Sequence, residues 1–221
     1  MTQIVVPPKL NIAMIVATDT DRAIGKENKI PWHHKADMKF FRETTTGHMV
    51  LMGRTTWVSL GAKPLPKRHN LVLSNKLNRE FFVDHPPIYP SENMTSVQLV
   101  NDIQDAIDRA EATRAVVQMH SGRNPKLFVI GGQSVYEAFL AYTQVIYHNV
   151  ISTRINAPDK YFPEIGMDEW SWLRQIEHAQ DESNGDLPWK EQVFVRRLSF
   201  PSIEDTADRD FVNVWTGGKT K

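Results

Sequence analysis

The stretch Ile24–Trp57, IGKENKIPWHHKADMKFFRETTTGHMVLMGRTTW, changes character three times. Residues 26–31 form a polar loop, and Pro31 disfavours helix at Ile30. From about residue 34 to 45 the spacing predicts a helix. Met38, Phe41 and Thr45 share one face, with Asp37 on its shoulder four residues before Phe41. Gly47 ends it. Residues 48–52 are a short apolar run, read as a central strand. Gly53-Arg54-Thr55-Thr56 then opens a short helix through Leu60. An acid on an apolar helix beside a strand–glycine–helix turn suggests proton and hydride chemistry on a flat heterocycle next to a bound phosphate.

Working outward, residues 11–18 are apolar on both faces, as a covered central strand requires. Residues 61–70 are a loop rich in proline and basic residues, and 71–74 a third strand. Residues 76–95 read as loops with an edge strand, broken by prolines. Residues 97–112 carry Val97, Val100, Ile103, Ile107 and Ala110 at helical spacing, and 113–126 read as a polar insertion. Residues 127–130 are a buried strand ending in Gly131-Gly132, followed by a helix over 134–141 and a strand over 144–151. Two long arms, 172–179 and 193–198, close a hairpin. These elements predict an α/β fold: a central, mostly parallel sheet with an antiparallel C-terminal hairpin and helices on both faces. The expected division is an N-terminal extension over 1–10, one domain over 11–200 and a C-terminal tail over 201–221.

Composition narrows the function. The 221 residues hold 26 Lys+Arg against 26 Asp+Glu, which argues against a general electrostatic grip on nucleic acid. There is no Cys, which excludes disulfides, Cys-ligated zinc and thiol catalysis. The N-terminus lacks the pattern of a signal peptide, and no apolar run is long enough to span a membrane. A cytoplasmic monomer is the expectation. Adjacent His33 and His34 seldom ligate one ion together, so no metal is expected.

Three features carry chemistry. Ile130-Gly131-Gly132-Gln133-Ser134 and Gly53-Arg54-Thr55-Thr56 both place glycine where a strand becomes a helix. They read either as ordinary turns or as two helix N-termini holding a pyrophosphate. The G-x-G-x-x-G fingerprint is absent. Asp37 reads either as a dipole partner near a helix start or as an acid with a raised pKa beside Met38, Phe40 and Phe41. In the second case its two oxygens suit an amidine-like N–C–NH₂ edge. Lys63, Lys67, Arg68 and His69 are either a solvated loop or the seat of an anionic substrate tail.

Together these motifs resemble dihydrofolate reductase. The matching segments, in order, are AMIVA, DRAIGKENKIPW, ADMKFFR, VLMGRTTWVSLG, PLPKRHNLVLS, LFVIGGQSVY and DKYFP, spanning about residues 11–200. The resemblance implies NADPH-dependent reduction of 7,8-dihydrofolate to tetrahydrofolate, with hydride to C6 and a proton to N5. That reaction supplies one-carbon carriers for thymidylate and purine synthesis, and antifolates would bind the same site. By the same resemblance, Asp37 binds the pterin and favours protonation of N5, and Trp32 helps order the water involved. Ile15, Ala17, Met38, Phe41 and Ile130 wall the pterin and nicotinamide, and Arg68 clamps the glutamate carboxylate. Ile24 and Gly25 begin the loop that closes over nicotinamide. Gly53, Arg54, Thr55 and Thr56, with Gly132, Gln133, Ser134, Val135 and Tyr136, match the cofactor-phosphate and adenosine segments. Leu73, Ser74 and Asn75 match the segment beside the adenosine ribose. Gly131 and Gly132 match a pair that the family joins by a cis peptide.

The chain departs from the family pattern at three places. Asn149 stands where the family usually has a Thr bonded to the acid. Thr55 and Ser134 stand at the usual cationic contacts to the 2′-phosphate, which leaves Arg54 and Lys76 as substitutes. The added segments include a tail with Phe211, Val212 and Trp215, read as a free end or as a peptide that docks on a partner. Two further readings are a pyrimidine reductase of riboflavin synthesis and a non-enzymatic protein on a reductase scaffold. The acid-bearing helix and the Pro31-Trp32 loop speak against the first, and the intact acid, Arg68 and both turns against the second.

Overall fold

The computed structural model describes residues 10–77 and 95–197. Eight strands form one sheet: β1 (Ile12–Thr18), β3 (Met49–Gly53), β4 (His69–Leu73), β5 (Ser96–Val100), β6 (Leu127–Val129), β7 (Val145–Ile151), β9 (Trp170–His178) and β10 (Trp189–Arg196). Their order is β5-β4-β3-β6-β1-β7-β10-β9. Neighbours from β5 to β7 are parallel, and β10 pairs antiparallel with both β7 and β9. The expected sheet with its antiparallel end is therefore the observed one. Two short strands, β2 (Ala23–Gly25) and β8 (Lys160–Tyr161), make a second small sheet that the sequence reading missed.

Successive residues of the central strands point to opposite faces, and both faces are apolar. Ile12, Met14, Met49, Leu51, Leu127, Val129 and Ile146 face one layer. There they meet Ala106 and Ala110 of α3 (Ile103–Ser121) and Val135, Tyr136 and Phe139 of α4 (Gln133–Phe139). Ala13, Ile15, Val50, Met52, Phe128, Val145 and Tyr147 face the other. That layer is covered by Phe40 and Phe41 of α1 (Lys35–Thr45) and by Trp57 of α2 (Arg54–Ser59). Leu10, at the edge of the expected extension, is fully buried in the first layer.

The region after β4 corrects the sequence reading. Residues 97–112 are not one helix. Ser96–Val100 is a parallel edge strand on β4, and the helix begins only at Ile103. It then runs to Ser121, through most of what read as a polar insertion. The apolar spacing of Val97 and Val100 fits a strand edge as well as a helix, and sheet pairing decides it. The helix carries its own ends: Asp102 accepts the N–H of Asp105, and Gly122 closes it in the left-handed conformation. An Arg109–Asp105 pair at 2.7 Å and an Arg114–Glu111 pair at 2.9 Å support its polar face. The hairpin arms are also longer at their starts than expected, beginning at Trp170 and Trp189. The expectations for residues 1–9, 78–94 and 198–221, including the tail with Phe211, Val212 and Trp215, lie outside the described residues.

One buried amide fixes the loop that ends at Arg68. Asn70 of β4 is fully buried. Its Oδ1 accepts the Leu65 N–H at 2.9 Å, and its Nδ2 donates to Leu65 O, Arg68 O and Ser96 O at 3.1, 3.0 and 2.9 Å. Asn70→Ala strands these groups in the interior. It is expected to lower stability by about 2–4 kcal/mol and the melting temperature by roughly 5–10 °C. A thermal melt of the variant at the wild-type temperature would contradict this.

Candidate active site

The carboxyl ends of β1, β3, β4 and β6 open into one cleft of about 1230 Å³. This is the edge at which open α/β sheets bind ligands. The volume exceeds that of most single-ligand pockets and suits two ligands side by side.

Asp37 stands on one wall, in the first turn of α1. The helix starts there because His34 caps it: His34 Nδ1 accepts the Asp37 N–H at 3.2 Å. His34 Nε2 lies 2.9 Å from the Leu187 carbonyl and donates to it. The Asp37 carboxyl is then free of its own helix, and its Oδ1 accepts from Asn149 Nδ2 at 2.7 Å. Burial raises the pKa of Asp37, opposed by the Asn149 bond and by His34, while Asp186 adds to the rise. Ile15, Ala17, Trp32, Met38, Phe41 and Ile130 line the same cleft. Met38 is about half exposed, as a wall residue of an open cleft should be. Asn149 does not line the cleft. It lies behind Asp37 on β7, almost fully buried.

Arg68 borders the cleft on the α1 side. Only 4 % of its surface is exposed. Its Nη1 donates to Thr45 Oγ1 at 2.9 Å, its Nε donates to Pro66 O at 3.0 Å, and its guanidinium lies 5.8 Å from the Phe41 ring centre. Desolvation lowers its pKa, with Arg42 adding to the effect. Among the described residues no carboxylate is in ion-pair contact with it. A fixed, partly desolvated guanidinium beside a second cation is suited to a bound carboxylate.

The two glycine turns meet at the other end. Gly53 N–H donates to Gly131 O at 2.8 Å. The Gly131–Gly132 peptide is cis. A Cβ on Gly131 would lie 3.4 Å from Thr56 Oγ1 and 3.6 Å from the Tyr136 ring. The two turns are joined by that backbone bond, and Gly131 takes φ +125, which favours glycine. Tyr136 OH donates to Ile15 O at 2.9 Å and locks α4 onto β1. Ile24, Gly25, Arg54, Thr55, Leu73, Ser74, Asn75, Gln133, Ser134 and Val135 all border the cleft. Lys76 borders it too. The site thus offers backbone N–H groups, hydroxyls and cations at one end, and an acid among apolar walls at the other.

The family model for dihydrofolate reductase matches residues 11–196. This chain belongs to the dihydrofolate reductase family. The dihydrofolate reductase of Haemophilus influenzae is 31% identical over 175 residues, covering 79% of this chain and 92% of that protein. That of Bacillus subtilis is 31% identical over 173 residues, covering 78% and 88%. The solved structure of the Enterococcus faecalis dihydrofolate reductase, complexed with NADP(H) and RAB-propyl, superposes with a TM-score of 0.64 at 25% identity. It covers 85% of this chain and 96% of that one.

Several wall residues were not anticipated from the sequence. Asn101, Asp102 and Ile103 border the cleft at the start of α3, and were hidden by reading β5 as helix. Their signal was the cap pattern Asp102–Asp105. Asp159 and Lys160 reach the cleft because β8 pairs with β2, and His34 because it caps α1. None of these pairings leaves a local pattern.

Gly53 generates a direct test of the reductase cleft. A Cβ there would sit 2.9 Å from Val135 Cγ2, so Gly53→Ala must displace Val135 at the start of α4, beside the second turn. At about 1–3 kcal/mol of overpacking, the expected outcome is roughly tenfold weaker dinucleotide binding. Fluorescence titration with NADPH checks it, and unchanged affinity would contradict the role of this contact.

Proposed function

We infer that this chain catalyses the NADPH-dependent reduction of 7,8-dihydrofolate to 5,6,7,8-tetrahydrofolate, and that Asp37 is its acid. One observation carries the reading: a half-buried carboxyl, bonded to Asn149, shares an apolar cleft with two interlocked glycine turns.

When bound, NADPH supplies the hydride that adds to C6 of the pterin. Residues 53–56 and 132–136 would hold its phosphates and adenosine, with Leu73, Ser74 and Asn75 beside the ribose. The bond from Gly53 N–H to Gly131 O, which brings the two turns together at one end of the cleft, supports that fit. Arg54 and Lys76 are the cations available to a 2′-phosphate. They would replace the cations missing at Thr55 and Ser134 in favouring NADPH over NADH.

Asp37 would bind pterin N3 and the 2-amino group with its two oxygens. Burial raises its pKa, which favours holding a proton and passing it to N5 through water that Trp32 helps order. Asn149 holds the carboxyl in place and, by donating to it, limits how far burial raises the pKa. The walls Ile15, Ala17, Met38, Phe41 and Ile130 exclude other water and fix the ring plane. Arg68 takes the glutamate carboxylate. We further propose that the chain works as a monomer in the cytoplasm. A size measurement tests the first point.

The family match favours this reading over a pyrimidine reductase of riboflavin synthesis or a non-enzymatic scaffold. Asp37→Asn is expected to keep NADPH affinity and to lose at least about 100-fold in hydride transfer at neutral pH, the usual weight of a positioned acid. Wild-type hydride transfer should fall as pH rises through the elevated pKa, about tenfold per unit, because the required proton is lost there. Stopped-flow measurement across pH checks both. A flat profile, or near-wild-type transfer by Asp37→Asn, would overturn the role of Asp37.

A further inference from the structure

We propose that Asp186, at the tip of the β9–β10 hairpin, is a positioning residue for Asp37: it occupies the free N–H groups that open α1 and so leaves the Asp37 carboxyl facing the cleft. The inference rests on the reading of Asp37 as the acid.

Only 3 % of Asp186 is exposed. Its Oδ1 accepts the Lys35 N–H and its Oδ2 the Ala36 N–H, each at 2.8 Å. These are the first two residues of α1, and their N–H groups have no partner inside the helix. The third, on Asp37, goes to His34 Nδ1. The N–H groups of the first three helical residues are thus all taken, two by Asp186 and one by the His34 ring, and the Asp37 carboxyl bonds Asn149 and borders the cleft.

The hairpin tip is built to deliver this carboxylate. The Asp186 N–H donates to Asn184 Oδ1 at 2.8 Å, and Asp186 O accepts the Asp181 N–H at 3.1 Å. Gly185, at φ +77, makes the turn between them. Leu187 O, the next carbonyl, takes the His34 ring. Residues 34–37 are thus clamped by a segment about 150 residues away in sequence.

The placement also has an electrostatic consequence. The positive end of a helix favours an ionised acid in its first turn, which works against an acid that must hold a proton. A carboxylate on the same N–H groups offsets that field. Burial alone would raise the pKa of Asp186, but the Ala36 and Lys35 N–H groups, with His34 and Lys35, hold it low, so Asp186 stays ionised. The groups facing Asp37 are His34 at the helix start, Asn149 on β7, Tyr136 on α4, and Asp186, which Lys35 faces in turn. Glu191, opposite Asn149 on β10, shares that sheet face but is engaged by Arg174 and lies 3.7 Å from His178.

The test is the pH profile of kcat for Asp186→Asn, which keeps the size and removes the charge. The high-pH limb is expected to move down by about half a unit or more, roughly a threefold loss on that limb, with KM for NADPH unchanged. Asp186→Glu, which restores the charge, should bring the limb back toward wild type. Where Asp186→Asn does not fold, Asp186→Ser loses the same charge and should show the same displacement. A lowered melting temperature with an unmoved limb would overturn the proposal and leave Asp186 a structural tie. Wild-type protein that fails to oxidise NADPH with dihydrofolate would instead refute the activity itself.

Discussion

Keeping one carboxyl among apolar side chains, and still in place, is the constraint on which this structure turns. Burial penalises the charged form of Asp37, and without fixed partners the side chain would rotate to water or to its own helix. The fold answers from three sides. Asn149 on β7 gives one directed donor at 2.7 Å. His34 and Asp186 take the N–H groups at the helix start. Phe40 packs between Trp189 and Tyr147, with ring centres 6.3 Å from each, and seats α1 on the sheet. Asn149 and Tyr147 come from β7, Asp186 and Trp189 from the antiparallel hairpin, and His34 from the start of α1 itself, so the acid depends on both parts of the sheet.

The same economy of buried polar groups recurs wherever loops approach the cleft. Asp19 accepts from Asp21, Ala23 and Ile155 and ties the β1–β2 turn to the chain after β7. Asn70 holds the loop that carries Arg68, and Thr45 joins Arg68 to the end of α1. Each is a short side chain meeting backbone groups that would otherwise be buried without partners. The cleft is therefore walled by loops that are individually pinned. The exposed run Glu27–Ile30 is held more lightly, with Lys26 and Lys29 exchanging backbone bonds at its base.

Much of this was legible in the sequence. Residues 11–18, 48–52 and 127–130 read as covered strands because parallel strands are apolar on both faces. The helix over about 34–45 declares itself by period and by Gly47. The acid, the clamp Arg68 and both glycine turns were named in advance, and they border one cleft. Val97 and Val100 misled because spacing by three fits a short strand edge as well as a helix. The helical stretch over 113–121 carries no apolar stripe, since Val117 is its one buried residue. Asp186 left no trace: its partners lie about 150 positions away, and nothing in D-E-S-N-G-D announces which helix it meets. Asn149 was found only through resemblance to a family, since a lone Asn in a strand carries no signal of its own.

The most direct test is the titration of Asp37 itself. Carboxyl-carbon NMR on protein labelled at aspartate, assigned with Asp37→Asn, follows that single group without substrate or turnover. The account predicts a midpoint clearly above the ordinary aspartate value of about 3.9. A midpoint at or below that value would mean that the Asn149 bond and the helix start outweigh burial, and Asp37 would be a fixed anion rather than the acid of the reaction.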